Sequence, residues 1–475
     1  MHRIVPGRDW PLFDTAAIRR IEQGAASALP PHTLMERAGL AVARLALAIA
    51  PHARTVWVAA GPGNNGGDGL EAAMHLKQWG KDVTVSWLGE ESRAPADAKA
   101  SLKRARDAGV TIVTEPPPAW DLAIDALLGI GTARAPEGAM REWIALMNAA
   151  NRPVLAVDLP SGLSADTGRG ESVIATHTLS LLALKPGLFT GRGRDAAGEV
   201  WFDDLQLELP EAEAAARLGG SPQQTSRLHD SHKGSYGDVA IIGGAMGMTG
   251  AALLAATAAL HHGAGRVFVG LLDGGSLAVD PQLPDAMFRP WESLRFDALA
   301  VACGCGGGDA VRGALPRVLS TAKSLVLDAD ALNAIAADPQ LQALLKSRAK
   351  RAPTVITPHP LEAARLLEIT SAEVQGNRLS AARELAQRFG AVTVLKGSGT
   401  VIAAPGETPR INPTGNARLA IAGTGDVLAG MIAARLASGA SAWDAALDAV
   451  YMHGAAADSW PANKTLTASA LARGG

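Results

Sequence analysis

The segment Ala422-Gly423-Thr424-Gly425-Asp426, opening into the apolar run Val427–Ile432, carries the residue types that phosphoryl transfer to a hydroxyl requires. Two glycines allow a tight turn and a close approach to a ligand. The carboxylate falls in the expected first turn of a helix, where free amides and the macrodipole favour an anion. A base beside an anion hole is the minimum machinery for moving a phosphoryl group. Other polar groups stand at the ends of apolar runs in the same half: Lys396-Gly397-Ser398-Gly399-Thr400, Pro358-His359-Pro360-Leu361-Glu362 and Asp328-Ala329-Asp330. Each alone has a plain reading, a hairpin turn for Lys396-Gly397 and helix caps for the acids. Four such strand ends on one edge of an open α/β sheet predict a ligand site.

A second set lies in the N-terminal half. Gly61-Pro62-Gly63-Asn64-Asn65-Gly66-Gly67-Asp68-Gly69 follows an apolar run. Gly61, Gly63 and Gly66 fit the spacing of a dinucleotide fingerprint, and Glu90 stands roughly where a ribose-binding acid would follow. With 52 glycines in the chain, chance matches to that spacing are expected. The pairs Asn64-Asn65 and Gly67-Asp68 instead predict a loop that offers side-chain carbonyls and amides. Asp125 precedes Leu128-Gly129-Ile130-Gly131-Thr132, and Asp158 precedes Leu159-Pro160-Ser161-Gly162. Oxygens from Asn65, Asp125 and Ser161 would suit a hard monovalent cation; the plainer reading of Asp125 and Asp158 is as caps of the turns that follow them.

These residues need elements to position them. Helical spacing runs from Asp14 to about Ala50. Strands are then predicted at Thr55–Ala60, Asp82–Leu88, Leu122–Leu127, Val154–Asp158 and Thr178–Leu184, with a helix from the glycine loop through Trp79. The β-α alternation predicts a doubly wound, mainly parallel sheet. A second series comprises Asp238–Gly243, a helix from Thr249, Gly265–Leu271, Ala298–Ala302, Ser324–Asp328, Pro353–Thr357, Val392–Lys396, Val401–Ala403 and a helix from Gly425. The pattern dissolves between them, and Gly219-Gly220-Ser221-Pro222 reads as linker by composition. The expected organisation is two α/β domains, residues 1–212 and 228–475, joined by a linker over 213–227.

Composition bounds the function. The 475 residues exceed what one ordinary core organises, and 48% hydrophobic with 19% charged is globular material. A net charge of −2 gives no reason to expect nucleic acid or an anionic membrane as partner. Apolar stretches near Leu40–Ala50 and Ala251–Leu260 are shorter than the ~20 residues that span a bilayer. The N-terminus has no apolar core of signal-peptide type. The two cysteines, Cys303 and Cys305, read as small residues of a glycine-rich loop in a reduced, cytoplasmic protein.

In the C-terminal half, His232-Lys233-Gly234-Ser235-Tyr236-Gly237, Gly243-Gly244, Met248-Thr249-Gly250-Ala251-Ala252, Gly263-Ala264-Gly265, Pro358-His359-Pro360, Lys396-Gly397 and Ala422–Asp426 occur in that order. Over residues 228–475 the chain resembles the NAD(P)H-hydrate dehydratase family, which implies a ribokinase-like fold. Such enzymes phosphorylate the C6 hydroxyl of hydrated NAD(P)H and let the phosphate leave, restoring the ring double bond. The resemblance implies Asp426 as base, an adenine-nucleotide site at Lys396, Gly397, Ser398, Gly399, Thr400 and Gly425, and contacts to the hydrated cofactor from Ala251, Gly306, His359 and Asp426. It further implies Mg²⁺ with ADP or ATP, ADP being typical of bacterial members, and places Glu362 where related kinases carry a carboxylate that helps to organise magnesium. One departure stands out. The family usually reads Gly-Pro-Gly-Leu-Gly where this chain has Gly304-Cys305-Gly306-Gly307-Gly308.

In the N-terminal half, Asn64–Gly69, Asp125-Ala126-Leu127-Leu128-Gly129 and Val157–Gly162 resemble the NAD(P)H-hydrate epimerase family over about residues 10–210, implying a Rossmann-like domain. Members interconvert the two C6 epimers of the hydrate. The resemblance implies substrate contacts from Asn64, Asn65, Gly66, Gly67, Asp68, Asp158 and the stretch Gly129, Ile130, Gly131, Thr132, Ala133, Arg134 and Ala135. It implies a K⁺ site at Asn65, Asp125 and Ser161, with Asp158 as acid/base. The whole chain is then expected to repair NADHX and NADPHX as a homo-oligomer. The competing expectations are a ribokinase-type small-molecule kinase, and an N-terminal half that only binds partners.

Overall fold

The computed structural model describes residues 1–131, 135–222 and 229–474. Its backbone contacts divide into two compact units, Met1–Val5 with Trp10–Arg217, and Pro6–Asp9 with Leu218–Gly475. Within the stretch expected to be a linker, Ala216–Leu218 forms a short strand, because Ala216 and Leu218 bury on either side of Arg217.

In the N-terminal unit eight strands lie in the order His2–Arg3, Glu199–Asp203, His177–Leu181, Val154–Val157, Leu122–Ala126, Thr55–Ala60, Asp82–Trp87 and Thr111–Val113. All neighbours pair in parallel except the terminal His2–Arg3, which runs antiparallel to Glu199–Asp203. The sheet is Rossmann-like. The chain leaves Thr55–Ala60 toward one side, then returns to Leu122–Ala126 on the other. That reversal opens a crevice at the carboxyl ends of these two strands, where such sheets bind ligands. The long helical pattern from Asp14 is two helices, Thr15–Ala28 and Thr33–Ile49. Pro30 and Pro31 break it, since neither can donate to a continuing ladder.

In the C-terminal unit the order runs Ala286–Phe288, Arg266–Leu271, Asp238–Gly243, Ala300–Cys303, Ser324–Leu327, Thr354–Ile356 and Val392–Leu395, all parallel, followed by Val401–Ala403 and Arg410–Ile411 antiparallel. This is the ribokinase-like unit. Its reversal lies between Asp238–Gly243 and Ala300–Cys303, so the loops after Gly243 and Cys303 face the crevice. Cys303 ends a strand and Cys305 begins the turn, so only one of the two cysteines sits in the glycine-rich loop. Helix Thr424–Ala437 packs on helix Thr249–His261 so closely that a Cβ at Gly430 would lie 2.1 Å from the Ala255 carbonyl oxygen.

No helix among the described residues is long and apolar enough to cross a membrane.

Candidate functional site

The N-terminal crevice is built around close backbone approach. A Cβ at Gly61 would lie 1.8 Å from the Leu127 oxygen, and one at Gly66 would lie 2.0 Å from the Gly61 oxygen, so both positions need glycine. The expected Asn-Asn-Gly-Gly-Asp loop is in fact the first turn of helix Asn64–Gln78. Its N-cap is Gly63, which has no side chain to satisfy the first amides, and these stay open toward the crevice. The helix starts early because Gly66 and Gly67 let it lie against the preceding turn and Met35.

Asn64, Asn65, Asp68, Gly129, Ile130, Gly131 and Asp158 line one cavity of about 460 Å³, together with Lys185 and Glu22. Ala135 is exposed and does not line it, while Thr132, Ala133 and Arg134 lie outside the described residues. Beneath the cavity, Asp125 is fully buried: the Ser161 hydroxyl donates to its Oδ1 (2.6 Å) and the Ser161 amide to its Oδ2 (2.8 Å). Burial pushes the Asp125 carboxyl up to about 6 despite these donors. The Ser161 hydroxyl also lies 3.2 Å from the Leu128 oxygen, and the Asn65 side chain lies about 3.4 Å from where a Gly129 Cβ would sit. The Asn65 amide nitrogen is buried without a partner among the described residues. Carboxylate, hydroxyl, carbonyl and amide oxygens thus converge on one small region, a donor set that fits a hard cation.

Asp158 does not continue its strand. The strand stops at Val157, and Asp158 takes φ 71°, an uncommon conformation for a residue with a Cβ. Its amide donates to the Leu179 oxygen (2.8 Å) while its carboxylate accepts from the Leu181 amide and from Lys185. Lys185 is only 1% exposed and also donates to the Leu181 oxygen (2.8 Å). Sequence reasoning missed Lys185. The available signal was a lysine within Leu182-Ala183-Leu184-Lys185-Pro186, since lysine is rarely buried there without an acidic partner. Burial first, and then the charges of Asp158 and Glu22, hold the Asp68 carboxyl well above the usual range.

The C-terminal site assembles the strand ends expected to meet. Lys396 donates to Asp328 Oδ1 (2.5 Å), which also accepts from the Thr357 hydroxyl (2.7 Å). Lys396 Nζ lies 3.3 Å from where a Gly425 Cβ would sit, which brings the cation to the helix N-terminus. That helix is capped by Gly423, with no side-chain bond to its first turn, so its leading amides face the site. Asp426 is the third helical residue. Burial, and then the charge of Asp328, push its carboxyl up to about 7, while Cys305 and Lys396 pull the other way. His453 is buried and held neutral, pushed down to about 4, with Nε2 3.0 Å from the Thr424 oxygen, steadying the first turn from behind.

Gly306 and Ala251 lie together: at φ 59°, a Cβ on Gly306 would meet the Ala251 Cβ at 2.9 Å. His359 caps helix Pro360–Leu367, accepting at Nδ1 from the amides of Leu361 (3.0 Å) and Glu362 (3.3 Å), with Nε2 3.2 Å from Glu362 Oε1. Burial raises Glu362 to about 7. Lys396–Thr400 is at once a nucleotide candidate and the turn of an antiparallel hairpin, because Val392–Leu395 pairs with Val401–Ala403. Buried Arg378 braces that turn, donating to the oxygens of Leu395 (3.1 Å) and Lys396 (3.2 Å). A Cβ at Gly397 would lie 3.0 Å from the Arg378 guanidinium. Arg378 and His453 were also not foreseen, since each acts through backbone carbonyls that no spacing rule marks.

Residues 239–473 match the family model described as NAD(P)H-hydrate dehydratase, and residues 31–187 match that of the YjeF-related protein N-terminus. The chain is 40% identical over 463 residues to the bifunctional NAD(P)H-hydrate repair enzyme Nnr of Escherichia coli, covering 93% of this chain and 88% of that one. It is 37% identical to the enzyme of the same name from Moorella thermoacetica, covering 90% and 88%. Among solved structures, the ADP/ATP-dependent NAD(P)H-hydrate dehydratase from Bacillus subtilis, co-crystallised with ATP/Mg²⁺, is 35% identical with a TM-score of 0.45, covering 53% of this chain and 91% of that one. A kinase with a non-catalytic N-terminal half is not favoured, because both halves match together over nearly the whole chain. The chain belongs to the family of bifunctional NAD(P)H-hydrate repair enzymes.

Proposed function

We propose that the two sites divide the family's activity, epimerisation of hydrated NADH and NADPH in the N-terminal crevice and nucleotide-dependent dehydration in the C-terminal one. The observation that carries this reading is the placement of Asp426 in the first turn of a helix whose N-terminus is open and stands beside Lys396, where burial pushes its carboxyl up to about 7. A base poised near neutrality suits proton abstraction from a hydroxyl. Asp426 takes the proton of the C6 hydroxyl as its oxygen bonds to the terminal phosphorus of ADP or ATP, and the bond to the leaving phosphate oxygen breaks. The open amides at Gly425 and the Lys396 ammonium stabilise charge on the transferring group. The C6–O bond then breaks, phosphate departs, and loss of the C5 proton restores the ring double bond.

In this reading Lys396–Thr400 and Gly425 hold the nucleotide; Mg²⁺ would neutralise charge on its phosphates, and Glu362 is the carboxylate that would help to hold it. Ala251, Gly306 and His359 contact the hydrated cofactor. In the N-terminal crevice, Asp158 moves the C6 hydroxyl proton during epimerisation, with Lys185 as its counter-ion. Asn64, Asn65, Asp68 and Gly129–Gly131, which line the cavity, hold the substrate. K⁺ bound by Asn65, Asp125 and Ser161 would compensate the buried Asp125 charge. The functional domains are 1–212 and 228–475, and the enzyme works in the cytoplasm as a homo-oligomer, which sedimentation of the purified protein checks.

The test of the assignment is Asp426→Asn. It should still bind ADP but lose most turnover of hydrated NADPH, whereas a near-normal rate would remove Asp426 as the base.

A further inference from the structure

The turn after Ala300–Cys303 is held rigidly at the point where the sheet reverses. The Gly304 amide donates to Ile242 O (2.9 Å), and the amides of Gly244 and Ala245 donate to the oxygens of Cys305 (2.9 Å) and Gly306 (2.7 Å). A Cβ at Gly304 would lie 2.0 Å from Asp328 O, and one at Gly243 would lie 2.2 Å from Cys305 O, so neither side of the turn has room to shift. The Cys305 side chain, with no exposed surface, is thereby directed at the acids: its Sγ and one carboxylate oxygen each of Asp328 and Asp426 lie within 4.8 Å of one another. The thiol thus stands beside the Asp426 carboxylate in a buried cluster, where a small rotation of the S–H aims it at a carboxylate oxygen.

We propose that Cys305 is a positioning residue for Asp426, its thiol donating to the carboxylate that receives the substrate proton, fixing that carboxylate's orientation and favouring its charged form. The inference rests on Asp426 being the base. The electrostatics of the cluster agree with it. Burial and the facing carboxylates of Asp426 and Asp328 hold the thiol far above its ordinary pKa, so it remains a donor throughout the working range. Around Asp426, the charges of Asp328 and Asp330 favour the neutral acid, while Lys396, already paired with Asp328, and the Cys305 thiol favour the anion. Removing the thiol takes away one of the two groups that oppose burial.

The sign follows directly. Without the donor, Asp426 gains its proton more readily, and the acid limb of the reaction moves to higher pH. The experiment measures kcat/KM for hydrated NADPH against pH, at saturating ADP and Mg²⁺, in the full-length protein. Cys305→Ala and Cys305→Pro should both move the acid limb upward by about half a pH unit, the size expected from losing a weak donor to a charged acceptor. Cys305→Ser, which keeps a donor, should retain the wild-type profile. KM for ADP should not follow the shift. Superimposable profiles for the wild type and Cys305→Ala would overturn the inference, as would a serine variant displaced as far as alanine. A change in kcat with an unmoved limb would mark a packing role only, and would also overturn it. Asp426→Asn, run in parallel, separates the two questions: a near-normal rate there defeats the assignment of the base, whatever the cysteine variants show.

Discussion

The two crevices solve one problem with opposite electrostatics. Each lies where its sheet reverses, and each places a glycine-capped helix N-terminus against the turn after a neighbouring strand. In the N-terminal unit the candidate acid/base, Asp158, is itself the partner of the buried cation Lys185. In the C-terminal unit the buried cation Lys396 pairs with the neighbouring Asp328, leaving Asp426 beside the Cys305 thiol, with burial pushing its carboxyl up to about 7. The difference follows the chemistry proposed for each. A proton that must leave and return is handled by a carboxylate held in an ion pair. A proton surrendered during phosphoryl transfer is taken by a base whose affinity is tuned near neutrality by burial.

The largest test of that contrast is Asp426→Asn, expected to cut nucleotide-dependent turnover by roughly 10²–10⁴-fold, the usual contribution of a placed base. Epimer exchange, followed by chromatography of the two hydrates, should be unchanged in it. Asp158→Asn should do the reverse, slowing epimer exchange by about 10²-fold or more while leaving dehydration of one epimer at its normal rate. Loss of both activities in either single variant would break the division between the crevices.

The pH dependence sharpens the comparison further. Because Asp426 is raised to about 7 and must be ionised to act, dehydration should fall as pH drops through 7. Below that limb the decline should approach tenfold per unit, as for any single titrating base. A limb near 4 would mean that the carboxylate behaves as an exposed one. The smallest effect concerns the cation: replacing K⁺ by a bulky organic cation should slow epimer exchange severalfold and leave dehydration untouched. Equal loss in both reactions would remove the cation from the Asn65, Asp125 and Ser161 cluster.

Much of this was legible before the structure because parallel sheets write themselves as apolar runs. Thr55–Ala60, Asp238–Gly243 and Val401–Ala403 occur where the sequence predicts them. Motifs attached to those strand ends fall in the crevices for the same reason. What local pattern could not show is long-range pairing. Lys185 meets Asp158 across 27 positions, and Lys396 meets Asp328 across 68. Arg378 and His453 support the C-terminal site through backbone carbonyls, which carry no sequence signature. The Asn-Asn-Gly-Gly-Asp stretch looked like a loop because its glycines disfavour helix, and close packing against Gly61 and Met35 overrides that preference. Cys305 read as a small filler; its place beside Asp426 depends on the fold of a turn far away in sequence.

The most direct measurement incubates the protein with an epimeric mixture of hydrated NADPH, ADP and Mg²⁺, and follows both the nicotinamide absorbance and the release of phosphate. Full recovery of both epimers, with one phosphate released per ring restored, is the predicted result, and Asp158→Asn should stop after one epimer. A phosphorylated product that accumulates without recovery of the nicotinamide would contradict the account, because the C-terminal site would then be a kinase and nothing more.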